Sequence, residues 1–187
     1  MVEPSEIRGE RVVLRTMVRA DVDQMATWPR FADPDLNWAN LELDHPDDRD
    51  SYFERGRTSA TRRRYVILDE AGAIIGTIGL RNLDLGMGEG TLGIIIRADA
   101  VDQGYGTDAV QTLIRHAFRE LRLRRVLLDV ADTNQRARRV YDKLGFVPIG
   151  QHVGPGQVLY VDMALEREIY LRQQAGQAHA HSGQPGR

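Results

Sequence analysis

Five consecutive residues, Gln103-Gly104-Tyr105-Gly106-Thr107, have the types and order needed to hold a phosphate. Before them runs the apolar segment Leu92-Gly93-Ile94-Ile95-Ile96-Arg97. After them, apolar residues recur at Ala109, Val110, Leu113, Ile114, Ala117, Phe118 and Leu121. That spacing predicts a helix with one face inward. A glycine turn that opens a helix leaves several N–H groups without intrahelical partners, all aimed at one point. The helix dipole adds partial positive charge there, which suits a phosphate or pyrophosphate. The plainer reading is that the glycines are steric punctuation. Two competing phosphate motifs are missing. No Gly-x-x-x-x-Gly-Lys-Ser/Thr loop occurs, and Ala109 and Val110 stand where a dinucleotide fold has its third glycine.

A second constellation follows. Val126-Leu127-Leu128-Asp129-Val130 reads as a buried strand, and Asn134 to Phe146 as a helix and its stop. Asn134 suits the N-cap and Gly145 the C′ position. Asn134, Ala137 and Tyr141 are spaced i, i+3, i+7, so they share one face, which can point at the glycine turn. Tyr141 reads equally well as a core ring with a bonded hydroxyl and as a proton donor. Glu89 precedes the first strand and is a candidate base acting through water, although a solvated strand-end glutamate is the commoner finding. His116 reads as a surface or satisfied histidine. Asp44, His45, Asp47 and Asp48 read as solvated acids, and no metal-ligand spacing occurs. Arg62-Arg63-Arg64 and Arg136, Arg138 and Arg139 read as solvated faces, one of the second group being within reach of a cofactor phosphate.

The run from Gly93 to Gly150 resembles the core of the GCN5-related N-acetyltransferases (GNAT). Gln103-Gly104-Tyr105-Gly106-Thr107 resembles their pyrophosphate turn, and Asn134-x-x-Ala137-x-x-x-Tyr141-x-x-Leu144-Gly145-Phe146 their second cofactor motif. Gly9-Glu10-Arg11-Val12-Val13-Leu14-Arg15 resembles the subgroup that acetylates ribosomal-protein N-termini. Two linked motifs in the right order are far more specific than either alone, and the resemblance extends over roughly residues 8–166. One position departs: Val101 stands where the family often has Gln or Arg.

The resemblance implies an α/β (α+β) fold with one central, mixed, mostly antiparallel twisted sheet flanked by helices. A splayed parallel strand pair would hold acetyl-CoA as co-substrate. Gln103, Gly104, Tyr105, Gly106 and Thr107 would hold its pyrophosphate, with Asn134 beside it. Backbone groups of Ile94, Ile95 and Ile96 would line the wedge for the pantetheine arm, one N–H serving as oxyanion donor. Tyr141 would be the general acid at the sulfur. The acceptor would be a primary amine, either a protein N-terminus or a small molecule such as a polyamine, an aminoglycoside or an amino acid. A non-catalytic acyl-CoA sensor is the alternative of a different class, and a homodimer stays open.

These motifs need elements to position them. A first strand is expected over Arg11 to Arg15, and a helix capped by Asp21 and ending near Trp28-Pro29. Residues 30–46 read as a loop, with Phe31, Trp38 and several acids bordering the acceptor, the acids suiting a cationic amine and an acidic peptide-facing loop equally. A second helix is expected from Asp47 to about Gly56. Paired strands are expected over Arg64 to Leu68 and Ala73 to Leu80, then Thr91 to Ile96 as the cofactor strand. A short strand after Phe146, a loop at Gly154-Pro155-Gly156 and a strand from Val158 to Leu165 would complete an acetyltransferase domain over 1–166. Residues 167–187 read as a frayed polar tail.

Composition agrees. The 187 residues, 42% of them apolar, suffice for one domain with a core. A net charge of −2 exerts no pull on nucleic acid or an anionic membrane. No cysteine occurs, which excludes disulfides, cysteine metal sites and an acyl-cysteine intermediate. No signal-peptide core and no apolar run of about 18 residues is present, so a cytoplasmic location without metal, nucleic acid or membrane partners is expected.

Overall fold

The computed structural model describes residues 6–32, 36 and 39–182, with side chains described up to residue 176 apart from Pro155. Eight strands form one sheet in the order β1-β2-β3-β4-β5-β6-β8-β7. They are β1 Glu6–Arg8, β2 Val13–Thr16, β3 Arg63–Leu68, β4 Ile74–Asp84, β5 Glu89–Ile96, β6 Arg125–Ala131, β7 Val147–Val153 and β8 Leu159–Glu166. Only β5 and β6 run parallel; every other described pairing is antiparallel. The helices are α1 Arg19–Met25, α2 Pro46–Gly56, α3 Tyr105–Arg119, α4 Gln135–Lys143 and α5 Arg167–Ser182.

The sheet has a different core on each side. Tyr65, Ile67, Ile78, Leu80 and Leu92 point toward α3, which buries Ala109, Val110, Leu113, Ile114, Ala117 and Phe118 against them. This is the stripe that the helical spacing predicted. Val66 and Ile74 point the other way, onto Met17, Val22 and Met25 around α1, with Tyr52 and Phe53 of α2 beside them. Alternation along β3 thus sends Tyr65 and Ile67 to one layer and Val66 to the other.

The connection from β1 to β2 is tied to α3. Gly9 N–H donates to Val12 O at 2.8 Å, closing a turn. The Asp108 carboxylate, in the first turn of α3, accepts the N–H groups of Glu10 (3.1 Å), Arg11 (2.8 Å) and Val12 (3.0 Å). A Cβ at Gly9 would stand 2.6 Å from Thr112 Oγ1 and 2.7 Å from Asp108 Oδ2. The Gly-Glu-Arg-Val run therefore has a structural reason: only glycine lets the turn press against the carboxylate.

Several expected elements change. Asp21 does not cap α1; Val18 is the N-cap, and Asp21, one turn in, accepts the Val18 N–H at 2.7 Å while Arg15 grips its two oxygens. That is the returning half of a capping box. α1 ends at Met25, short of Trp28. β1 was not legible, being three residues long. β4 and β5 run on to Asp84 and back to Glu89, through polar residues that period-two patterning passes over. The polar segment from Arg167 continues as α5 instead of fraying, because Tyr170 is buried and packs on Phe118 with ring centroids 5.2 Å apart. Residues 183–187, and Trp38 of the expected acceptor loop, lie outside the described residues.

The Asp108 cap gives a stability prediction. Asp108→Ala strands three amides that a charged acceptor now satisfies, so unfolding free energy should fall by about 3 kcal/mol. Chemical denaturation measures it, and a loss below about 0.5 kcal/mol would show that water replaces the carboxylate.

Candidate functional site

The site begins where a ladder stops. β5 and β6 pair through Glu89↔Arg125, Gly90↔Val126 and Thr91↔Leu127, and no further. Beyond Thr91, β5 stays paired with β4 out to Ile96↔Gly76. Beyond Leu127, β6 stays paired with β8 out to Ala131↔Tyr160. Each strand is held on its outer edge and released on its inner one. The inner edges over residues 92–96 and 128–131 present N–H and C=O groups that take no strand partner among the described residues. Unpaired backbone groups need water or a ligand.

The gap opens into a cleft of about 500 Å³. Ile94, Ile95 and Ile96 line it, as do Gly104, Gly106, Thr107, Asn134, Ala137 and Tyr141. The glycine turn at its end is a helix N-terminus. Gly104 is the N-cap of α3 in the left-handed region, with φ 86°. The first intrahelical bond runs from Asp108 N–H to Gly104 O at 3.1 Å. The N–H groups of Tyr105, Gly106 and Thr107 precede it and carry no helical partner.

The turn is braced from below. The Arg11 guanidinium donates to Gln103 O at 2.5 Å, donates to Glu70 Oε1 at 2.8 Å, and lies 4.4 Å from the Tyr105 ring centroid. The Tyr105 hydroxyl donates to Glu70 Oε2 at 3.0 Å. Glu70 is held below the ordinary carboxylate range by its own backbone N–H first, then by Arg11 and Tyr105. The hydrogen bond to Glu70 raises the Tyr105 phenol, so the brace keeps its charges. Sequence reasoning missed Arg11, Glu70 and Asp108 as supports. Their one signal was the Gly9-Glu10-Arg11 run, and nothing in it says what the arginine reaches.

α4 supplies the opposite wall. Asn134 caps it, its Oδ1 accepting Ala137 N–H at 3.1 Å. Gly145, φ 91°, ends it, with Phe146 N–H donating to Tyr141 O at 3.0 Å across a Schellman turn. Asn134, Ala137 and Tyr141 share the face toward the cleft, as their spacing required. Phe146 holds the Tyr141 ring edge-on at 5.7 Å. Burial, and secondarily the negative charge of Asp129, push the Tyr141 phenol up to about 12. Among the described residues nothing hydrogen-bonds its hydroxyl. A neutral donor therefore faces the gap throughout the physiological range.

Other expected residues are placed elsewhere. Glu89 sits at the paired end of β5, 3.4 Å from Arg125 Nη1, and does not line the cleft. It lies at the first of the three paired rungs, at the closed end of the gap. Gln103 belongs to the turn through its carbonyl, held by Arg11, while its side chain donates to Asp99 O. His116 is buried edge-on to Tyr65. His45, Asp47 and Asp48 form the start of α2, and Asp44 pairs with Arg30 at 2.7 Å. Among the described residues no group of three His, Asp or Glu stands close enough to hold a metal ion, and no helix is long and apolar enough to cross a membrane. Arg136 reaches the turn and is held by Asp102 at 3.1 Å, while Arg138 pairs with Asp132. Val101 lines the cleft, so the side chain there offers no phosphate donor. Two residues were overlooked: Asp129, on the cleft wall in an ion pair with Arg81, and Gly93, whose added Cβ would meet nothing within 4 Å.

The family described as Acetyltransferase (GNAT) domain matches residues 11–147 of the chain. A Bacillus subtilis (strain 168) protein named as a ribosomal N-acetyltransferase, YdaF, is 33% identical over 150 residues, 76% of this chain and 81% of that protein. The N-acetyltransferase p20 of Bacillus licheniformis is 26% identical over 143 residues, 73% of this chain and 79% of that one. Among solved structures, spermidine N-acetyltransferase from Vibrio cholerae in complex with CoA and spermine superposes with a TM-score of 0.70. It is 19% identical and covers 86% of this chain and 98% of its own.

Two measurements test this geometry. Gly93→Val should fold with unchanged or slightly raised stability, since the side chain enters open space on a strand, yet lose most turnover by filling the cleft. Full turnover in that variant would place the reaction elsewhere. For Tyr141, the folded phenol stands above its unfolded value of about 10. The unfolded chain therefore loses this proton first, and stability falls as pH rises from about 10 to 12. Denaturation midpoints over that range should show a decline that Tyr141→Phe reduces; identical declines would mean that the hydroxyl is hydrated.

Proposed function

Because the chain belongs to the GNAT family and is an acetyl-CoA-dependent acetyltransferase, we propose that it transfers the acetyl group directly to a primary amine in a ternary complex at the β5–β6 gap. One observation carries this reading: Gly104, Gly106 and Thr107 of the glycine turn, the open edge of β5 and the unbonded Tyr141 hydroxyl line a single cleft.

The residues present fit acetyl-CoA. The three turn amides hold the pyrophosphate, with the helix dipole adding to them. Arg136 lies close enough to the turn to meet a further phosphate. The open β5 edge pairs with an extended, amide-bearing arm much as a further strand would. One N–H within Ile94 to Ile96 donates to the carbonyl oxygen as charge grows on it. The thioester supplies an activated acyl carbon and a thiolate leaving group.

The reaction forms an N–C bond and breaks a C–S bond; one proton leaves nitrogen and one reaches sulfur. Tyr141 donates its hydroxyl hydrogen bond to the sulfur. A phenol at about 12 is a weaker acid than a thiol near ~8.5, so handing over its proton outright is uphill. The hydroxyl therefore stabilises the departing thiolate first, and passes a proton only as water restores its own. Among the described residues the two carboxylates that line the cleft, Asp129 and Asp102, are both ion-paired, so neither is a free base. The amine arrives deprotonated or loses its proton to water. The B. subtilis relative supports a protein N-terminal amine as acceptor, with a small-molecule amine as the second class.

Tyr141→Phe should leave acetyl-CoA affinity within about twofold and lower kcat by roughly 10² to 10⁴. Equal losses in kcat and kcat/KM would mark a transition-state contact. Initial-rate lines should intersect, as direct transfer requires; parallel lines, or an acetylated protein competent to complete transfer, would overturn it.

A further inference from the structure

Resting on that reading, the charge around the cleft narrows the acceptor. Arg64, Gly79 and Gly93 lie opposite one another across β3, β4 and β5. Residues in such a row share a face, and this one is the face away from α3. Gly93 leaves this face bare beside the β5–β6 gap, since an added Cβ would meet nothing within 4 Å, and Gly79 lets the β3 backbone approach closely. The Arg81–Asp129 pair stands along the same face.

The arginines around this trough are not equivalent. Arg81 is neutralised by Asp129 and Arg136 by Asp102. Arg62 and Arg64 also line the cleft but meet no carboxylate among the described residues. The Arg62 guanidinium donates to the backbone carbonyl of Arg55, and that of Arg64 lies over the Tyr52 ring at 4.5 Å. Both partners hold a guanidinium in place without cancelling its charge, and each leaves donors unspent. Both arginines are half-buried.

We propose that Arg62 and Arg64 read a carboxylate carried close to the acceptor amine, so that the substrate is an anionic amine rather than a polyamine. A guanidinium matches a carboxylate in a two-point contact. The same two charges repel a polycation, which is discrimination by repulsion as well as by fit. They also disfavour the ammonium form of an amine placed beside them, which eases its deprotonation. The chemistry is met by a free acidic amino acid or by a peptide N-terminus followed by Asp or Glu.

The test measures acetyl transfer from acetyl-CoA to matched acceptors: free glutamate and glutamine, a short peptide with Glu at its second position and its Gln counterpart, and spermidine. The acid form should exceed its amide by about tenfold or more in kcat/KM, and spermidine should be the poorest. Preference for free glutamate or for the Glu peptide identifies the source. The double variant Arg62→Gln with Arg64→Gln should bring the acid-to-amide ratio near one, and the Lys double variant should restore part of it. A merely structural role would lower both acceptors alike. A ratio near one in the unaltered protein, or spermidine as the best acceptor, overturns the proposal and leaves acetyl transfer standing. Transfer to no amine despite acetyl-CoA binding overturns acetyl transfer itself, and the proposal with it.

Discussion

A parallel ladder of three rungs governs this molecule. β5 and β6 must pair at one end, or the sheet would divide into two. They must part at the other, or no gap would exist. Neither strand can follow its neighbour further, because each is committed on its outer side, β5 to β4 and β6 to β8. The parting is thus imposed by two well-formed antiparallel ladders competing for direction. It leaves two rows of backbone groups wanting partners in the middle of a stable sheet. Such a pair of edges accepts an extended ligand at little cost, since the frame around it is already ordered.

The second requirement is that the glycine turn keep its shape while an anion approaches. Its amides are aimed by α3, and α3 is fixed by its buried stripe. The turn itself is held by Arg11, which reaches the Gln103 carbonyl from beneath. Arg11 in turn is placed by the short turn that Asp108 gathers with three amides. Support therefore passes in a closed path, from the first turn of α3 to residues 10–12 and back to the residue just ahead of α3. Glu70 completes it by balancing the Arg11 charge and bonding Tyr105.

What the sequence revealed and what it hid divide along physical lines. The stripe of α3, the Asn134 cap, the Gly145 stop and the shared face of Ala137 and Tyr141 are local, so spacing alone disclosed them. The glycine turn that opens α3 was legible for the same reason. Asp108 was not, since its partners lie 96 to 98 residues away and an acid in a first turn already has a local explanation. The place of Glu89 at the paired end was not legible, because adjacency in sequence does not say which end of a strand opens. Tyr170 was hidden in polar company, a single anchor with no periodic neighbours. The cationic trough depends on cross-strand register, which no single segment encodes.

The tie between Asp108 and residues 10–12 also dates the site within the life of the chain. Closing a contact that spans nearly a hundred residues costs chain entropy that a local contact does not. The helix and most of the sheet can be in place while the first strands are still undocked. In that state the glycine turn would lack the arginine beneath it. Completion of the anion site thus coincides with docking of the N-terminal strands, and a ligand held by the turn draws that step toward the folded side by mass action. Acetyl-CoA would then act as a folding ligand for the strands that carry Arg11.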